Sequence, residues 1–258
     1  MDERMLDIKT GSGVMETFVT HPNQHAPFPA VILYMDVWGV REELFDIARR
    51  IATVGYYCMV PDLYYRLGKV RHEFRNDKNE MISLEYLSDE QKEKVRTPMR
   101  QLTDAMVVED TGAMLDFIER GEPVHPGAMG AIGYCMGGRH VLRVAGSFPQ
   151  RFRAGASLHG TRLVTDNDSP HLTAMRAHGE LYCGFAEKDP YAPMSTVNKL
   201  AETLPGPQLA YRHEVHKGAE HGYALPDRDI YDKHAANRDW ELIFAMFHRQ
   251  IPAYGDAR

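Results

Sequence analysis

Cysteine is scarce in this chain: Cys58, Cys135 and Cys183 are the only three among 258 residues, and they stand at no CxxC or other metal-ligand spacing. An odd, scattered trio argues against a disulfide framework and a structural zinc site, so each thiol needs its own explanation. Basic charge is also short, 30 Lys and Arg against 36 Asp and Glu, for a formal net charge of −6. With no Lys/Arg-rich block, nucleic acid and acidic membranes are not expected as partners, which leaves a small molecule or a second copy of the chain. No apolar run approaches the ~20 residues of a membrane span. The acidic start, Met1-Asp2-Glu3-Arg4-Met5-Leu6-Asp7, lacks the apolar core of a secretion signal. A cytoplasmic monomer or homodimer is therefore expected.

What is present is enough apolar material, 43% of residues, for one large core, so residues 1–258 are expected to form a single domain. Two alternating strands, 6–10 and 14–20, flank Gly11-Ser12-Gly13 in the manner of a hairpin. Ala30 to Met35 is a continuous apolar run typical of a strand buried on both faces. Leu44, Ile47, Ala48 and Ile51 then recur at helical spacing, and Tyr56 to Val60 reads as another strand. The alternation of strand and helix predicts a mostly parallel central sheet flanked by helices, whose ligands collect at the carboxyl ends of strands. Residues 64–100 turn polar and charged; Met81, Leu84, Tyr86 and Leu87 give them something to bury, so a partly helical cap over the active-site face is expected. Helical periodicity resumes over 102–118 and 136–148. Strands are expected at 154–159, 180–185 and 209–215, and a final helix at 230–249.

The organising stretch is Met129 to Arg139, a small apolar strand that runs into Gly133-Tyr134-Cys135-Met136-Gly137. This has the spacing of a nucleophile elbow, in which glycines allow a sharp strand-to-helix turn and the helix N-terminus favours a thiolate. The same five residues also suit a buried cysteine beside a Gly-rich turn. An elbow requires an acid after one later strand and a histidine after the next. Asp189 and His221 follow the strands at 180–185 and 209–215, giving the order Cys135, Asp189, His221. In such a set the imidazole takes the thiol proton and later protonates the leaving alcohol, while the carboxylate fixes its tautomer.

Tyr34-Met35-Asp36-Val37-Trp38-Gly39, Val60-Pro61-Asp62-Leu63-Tyr64, Gly133-Tyr134-Cys135-Met136-Gly137-Gly138 and Ala219-Glu220-His221-Gly222-Tyr223 together resemble the dienelactone hydrolase family, in its order and over most of the chain. The resemblance implies an α/β-hydrolase fold and a thiol esterase or lactonase for small esters or lactones. It also implies Cys135, Asp189 and His221 as the triad, the backbone N–H groups of Met136 and Val37 as the oxyanion hole, and no metal or organic cofactor. Two positions depart from the pattern. The family carries glutamate, paired with the resting thiol, where this chain has Asp36, so Asp36 is expected either to modulate Cys135 or to cap the helix after Trp38. The muconate-type enzymes carry an arginine four residues past the histidine, where this chain has Leu225. Arg41, Arg96 and Arg100 are candidate replacements, and uncharged lactones are expected to be preferred over the carboxylate-bearing dienelactone.

Tyr134, His159 and Tyr64, close to strand ends, are candidate substrate-binding residues, each with a structural alternative. Cys58 and Cys183 lie inside apolar strands and are expected to pack. His213 and His216 should face opposite sides of their strand, a poor metal pair. Alternatives to the lactonase reading are a broad-specificity carboxylesterase and a weakly catalytic redox-sensing or binding protein built on Cys135.

Overall fold

A computed structural model describes residues 1–253. Its frame is one eight-stranded sheet in the order β1-β2-β4-β3-β5-β6-β7-β8. Strands β1 (Asp2–Thr10) and β2 (Gly13–His21) form the antiparallel hairpin, longer at both ends than alternation suggested, because Arg4 and Met5 continue the pairing to Val19 and Phe18. Strands β3 (Ala30–Tyr34), β4 (Tyr57–Pro61), β5 (Met129–Tyr134), β6 (Phe152–Leu158), β7 (Gly179–Lys188) and β8 (Leu209–Glu220) run parallel to one another. Every side chain of β3, β4 and β5 is buried, as continuous apolar runs require when helices cover both faces. This is the α/β-hydrolase arrangement.

The crossover helices are α1 (Glu42–Thr53), α3 (Asp104–Ile118), α4 (Met136–Ser147), α5 (Pro170–Ala174) and α6 (Met194–Thr203). Helix α2 (Asp89–Gln101) belongs to the cap and α7 (Lys233–Gln250) closes the fold. Caps set the boundaries that periodicity missed. Thr103 accepts the Met106 N–H and starts α3 two residues late; Asp232 accepts from His234 and Ala235 and starts α7 at Lys233 instead of Ile230. Helices α5 and α6 were not expected: α5 has only five residues, too few to show a period, while Val197 and Leu200 on α6 are spaced for a helix and went unread.

The path of the chain creates the site. From β3 it passes through α1 outward to β4, then returns across β3 to β5, so β3 and β5 are neighbours whose connections leave in opposite directions. Their carboxyl ends form the crevice where such sheets bind ligands. Residues Asp36 to Trp38 follow β3 and Cys135 follows β5.

The cap, between β4 and α3, is tied down at both ends. Tyr65 and Arg66 bond to the buried Asp110 of α3 at 2.7 to 2.9 Å. Met81 pairs with the loop after β8, its N–H donating to Asp227 (2.7 Å) and its carbonyl accepting from Asp229 (3.1 Å), and Ser83 donates to the Asp229 carboxylate at 2.6 Å. Helix α2 carries a capping box at Ser88 and Gln91.

Two glycines make the β5-to-α4 turn possible. A Cβ on Gly133 would lie 2.2 Å from the Gly137 carbonyl oxygen, and one on Gly137 would lie 2.3 Å from that of Tyr34. Both obstacles are backbone. Gly137→Ala should therefore lower the melting temperature by more than the roughly 2–4 °C that one kcal/mol produces in a chain of this size. A thermal melt within that margin of the parent would contradict so tight an approach.

Candidate active site

Cys135 sits at the apex of the turn with φ 54° and ψ −113°, a conformation that costs non-glycine residues on the order of 1–3 kcal/mol. Three backbone bonds hold it: its N–H donates to Leu158 (3.0 Å), and its carbonyl accepts from Gly138 and Thr161 (both 3.1 Å). The side chain points into the crevice, with Sγ 3.2 Å from Nε2 of His221. Nδ1 of His221 lies 2.8 Å from Oδ2 of Asp189, whose Oδ1 accepts the Tyr191 N–H at 2.8 Å. The structure thus brings Cys135, Asp189 and His221 together from three strand ends. Tyr191 packs against the His221 ring at 4.7 Å and His159 at 5.1 Å, both edge to face.

Beside the sulfur lie the two backbone N–H groups expected to face an oxyanion. The Met136 N–H is the first of α4 and has no partner within its helix. The Val37 N–H has none among the described residues. Tyr64 is a correction: it is fully buried and does not line the pocket that holds Cys135, and its hydroxyl donates to the Val37 carbonyl at 3.2 Å, next to Met136 Sδ at 3.8 Å. It orients the Val37 peptide from behind. Tyr134 and His159 are corrected likewise. Both are wholly buried behind Cys135 and His221, with rings 5.8 Å apart, because β5 and β6 point them into the core.

Asp36 is held chiefly by Arg41. Its oxygens accept both terminal nitrogens of Arg41 at 2.9 and 3.0 Å, and one also accepts the Trp38 N–H at 3.0 Å. Among the described residues no hydrogen bond joins this carboxylate to the thiol, and it does not cap α1, whose N-cap is Arg41. Arg41 continues to Asp227 at 2.6 Å. Of the three candidate cations, Arg41 is consumed here, Arg100 pairs with Glu93, and Arg96 lines the pocket. Sequence reasoning missed Arg228, seven residues past His221 in an irregular turn that no pattern marks. It is 6% exposed, lies 4.9 Å over the Trp38 ring, has among the described residues no partner for Nε and no ion pair, and faces the same pocket as Cys135. That pocket is a cavity of about 140 Å³ with Val37 and Trp38 on one side and Leu84, Arg96 and Met99 of the cap on the other. No carboxylate lines it.

The buried Cys58 and Cys183 have thiols pushed well above the ordinary value by burial, as packing residues should. His213 stacks on Tyr211 while His216 reaches Asp239 at 2.7 Å, on opposite sides of β8, and the described residues contain no cluster suited to a metal. Likewise, none of their helices is long and apolar enough to cross a membrane.

Burial alone would lower the pKa of His221, but the Cys135 sulfur and the Asp189 carboxylate outweigh it and push it up to about 10. His159, in contrast, is held well below its ordinary value by burial and then by His221 and Arg228. A histidine whose pKa rises on folding stabilises the fold fully below its unfolded value, near 6.5, and loses that contribution as pH climbs through the folded value. The melting temperature difference between the parent and His221→Ala should therefore be greatest near pH 6 and shrink steadily towards pH 10. A difference that grows over that interval would reverse the sign.

Comparison with known proteins places this geometry. The profile of the Dienelactone hydrolase family matches residues 15–251. A Synechocystis protein named "Putative carboxymethylenebutenolidase" is 25% identical over 95% of this chain and 99% of its own length. A Bradyrhizobium protein named "Probable 2-oxo-3-(5-oxofuran-2-ylidene)propanoate lactonase" is 23% identical over 94% of this chain and 93% of its own. The solved structure titled "Putative Dienelactone Hydrolase" from Klebsiella pneumoniae superposes with a TM-score of 0.80 at 22% identity, covering 96% of this chain and 98% of that one. The chain belongs to the dienelactone hydrolase family.

Proposed function

We propose that this hydrolase of lactones or carboxylic esters works through a thioester formed on Cys135, with His221 as the proton carrier and Asp189 as its orienting carboxylate. The observation that carries this reading is the contact of 3.2 Å between Cys135 Sγ and His221 Nε2, completed by Asp189 at 2.8 Å on the far nitrogen. His221 takes the thiol proton and the thiolate attacks the carbonyl carbon. The tetrahedral oxyanion lies against the N–H groups of Met136 and Val37. As the carbon–oxygen bond breaks, His221 returns the proton to the departing oxygen, which stays tethered to the acyl group when the substrate is a lactone. A water molecule, deprotonated by His221, then attacks the thioester and releases the acid, and the thiol is restored.

The unpaired guanidinium of Arg228 supports a substrate bearing a carboxylate, and it removes the reason for expecting uncharged lactones to be favoured. The cation absent at Leu225 is supplied three residues later, by Arg228. A charge-assisted hydrogen bond contributes about 1.5–3 kcal/mol and each 1.4 kcal/mol is tenfold in affinity.

Cys135→Ala should abolish turnover of lactones and p-nitrophenyl esters while leaving the circular dichroism spectrum intact, and mass spectrometry of the parent should show an acyl adduct on Cys135 that disappears at the rate of turnover. Full activity in Cys135→Ala would end the thioester mechanism; an adduct that never turns over would favour a sensing or binding role. Arg228→Gln should raise KM for a carboxylate-bearing lactone about tenfold over its effect on an uncharged lactone. Equal changes for both substrates would take Arg228 out of substrate recognition.

A further inference from the structure

Three donors converge on one carboxylate behind the triad. Asp239, on α7 and wholly buried, accepts from the Tyr182 hydroxyl at 2.5 Å, from Nε2 of His216 at 2.7 Å and from the Tyr223 hydroxyl at 2.6 Å. Gly184 of β7 makes room for the cluster: a Cβ there would lie 2.5 Å from the Tyr223 hydroxyl and 2.8 Å from Oδ1 of Asp239. Packed apolar groups hold a helix on a sheet at least as well as a buried carboxylate does. What the charge adds is direction, since each donor must point at it.

Two of those donors bracket His221. His216 precedes it on β8 and Tyr223 follows it, with their rings 5.0 Å apart, whereas Tyr182 stands on β7, outside the histidine loop. The Tyr223 carbonyl also accepts from the N–H of Asp232, the N-cap of α7, at 3.0 Å, so one helix holds that loop at two points. From Tyr223 the restraint reaches the imidazole through rings. Tyr223 packs edge to face on His159 at 5.5 Å, and His159 edge to face on His221 at 5.1 Å. His159 is wholly buried and its ring nitrogens have no hydrogen-bond partner among the described residues, so packing sets its orientation. Hydrogen bonds at both nitrogens of His221 leave the ring free to tilt about the line between them, and the neighbouring rings restrict that tilt.

The geometry points to Asp239 as a positioning residue for the reaction: through Tyr223 and His159 it sets the tilt and reach of His221 towards Cys135, without touching the substrate or the reacting atoms. This deepens, and rests on, the reading of His221 as the proton carrier. A proton carrier displaced by a fraction of an ångström transfers its proton more slowly while the substrate binds as before, so the effect falls on kcat.

The test follows p-nitrophenyl acetate hydrolysis in the parent, Tyr223→Phe, Tyr182→Phe, Asp239→Asn and His221→Ala. Tyr223→Phe and Tyr182→Phe each delete one hydroxyl from the same carboxylate, but only the first lies in the histidine loop, so both should lower the melting temperature by a similar amount. Tyr223→Phe should lower kcat about tenfold with KM within about twofold of the parent, and slow alkylation of Cys135 by iodoacetamide at neutral pH in step, whereas Tyr182→Phe should move neither by more than about twofold. Asp239→Asn, which cannot accept all three donors, should lose at least as much kcat as Tyr223→Phe; should it not fold, Tyr223→Phe carries the test alone. An unchanged kcat in Tyr223→Phe, a loss carried by KM, or an equal loss in Tyr182→Phe overturns the positioning role. Turnover surviving in His221→Ala would instead overturn the proton-carrier reading, and the positioning role with it, so the two failures are distinguishable.

Discussion

The structure depends on the left-handed turn at Cys135. A residue with a Cβ is held at φ 54° only where its surroundings over-determine it, and here they do. Gly133 and Gly137 let β5 and α4 approach to the point where any side chain would meet backbone, and Leu158, Gly138 and Thr161 fix both peptide groups of the cysteine. The sulfur is therefore aimed by backbone alone. Because β5 lies next to β3 at the point where the chain reverses its direction of winding, the same turn places Cys135 beside the loop that starts at Asp36. The turn and the strand order bring the thiol and the Val37 N–H to one place, without any side chain needed to gather them.

A second constraint ties the loops around that point. Asp36 follows β3, Arg41 begins α1, and Asp227 and Arg228 belong to the loop after His221; ion pairs join the first three, and Arg228 lies over Trp38 of the loop after β3. Met81 and Ser83 then fasten the cap to the same loop through Asp227 and Asp229. The oxyanion loop, the histidine loop and the cap are held as one unit. Asp36 is thus a tie between β3 and the histidine loop, and its shorter side chain is suited to that: turned towards Arg41, it never needs to reach the sulfur.

Much of this was legible in the chain. Continuous apolar runs gave the central strands, and glycine spacing with the order Cys135, Asp189, His221 indicated three residues that the fold brings within hydrogen-bonding distance. Local reasoning failed where the deciding partner is remote. Tyr64 looked like a pocket residue because it follows a strand, yet its hydroxyl is claimed by Val37, 27 residues earlier. Arg228 carried no signal at all, since its importance comes from Trp38 beneath it and from carboxylates nearby, Asp36 and Asp227, that are both bonded to Arg41 instead. Periodicity and spacing report on neighbours along an element; they are silent about which charges end up without partners.

That bookkeeping of charge shows what the pocket is built to receive. Each buried carboxylate is matched: Asp36 by Arg41, Asp62 by Arg71, Asp110 by Arg66 and Tyr65, and Asp189 by His221 and the Tyr191 N–H. Asp239, wholly buried behind the site, accepts from Tyr182, Tyr223 and His216 at 2.5 to 2.7 Å, so its charge is satisfied without drawing on His221. Arg228, which faces the pocket, has no ion pair among the described residues, and the nearby Asp36 and Asp227 are bonded to Arg41. An unpaired guanidinium out of contact with bulk water is costly unless a ligand completes it. That cost falls on Arg228, at the pocket wall. The reacting groups are thus assembled beside a buried guanidinium that has no ion pair among the described residues, the feature on which a carboxylate-bearing substrate is proposed.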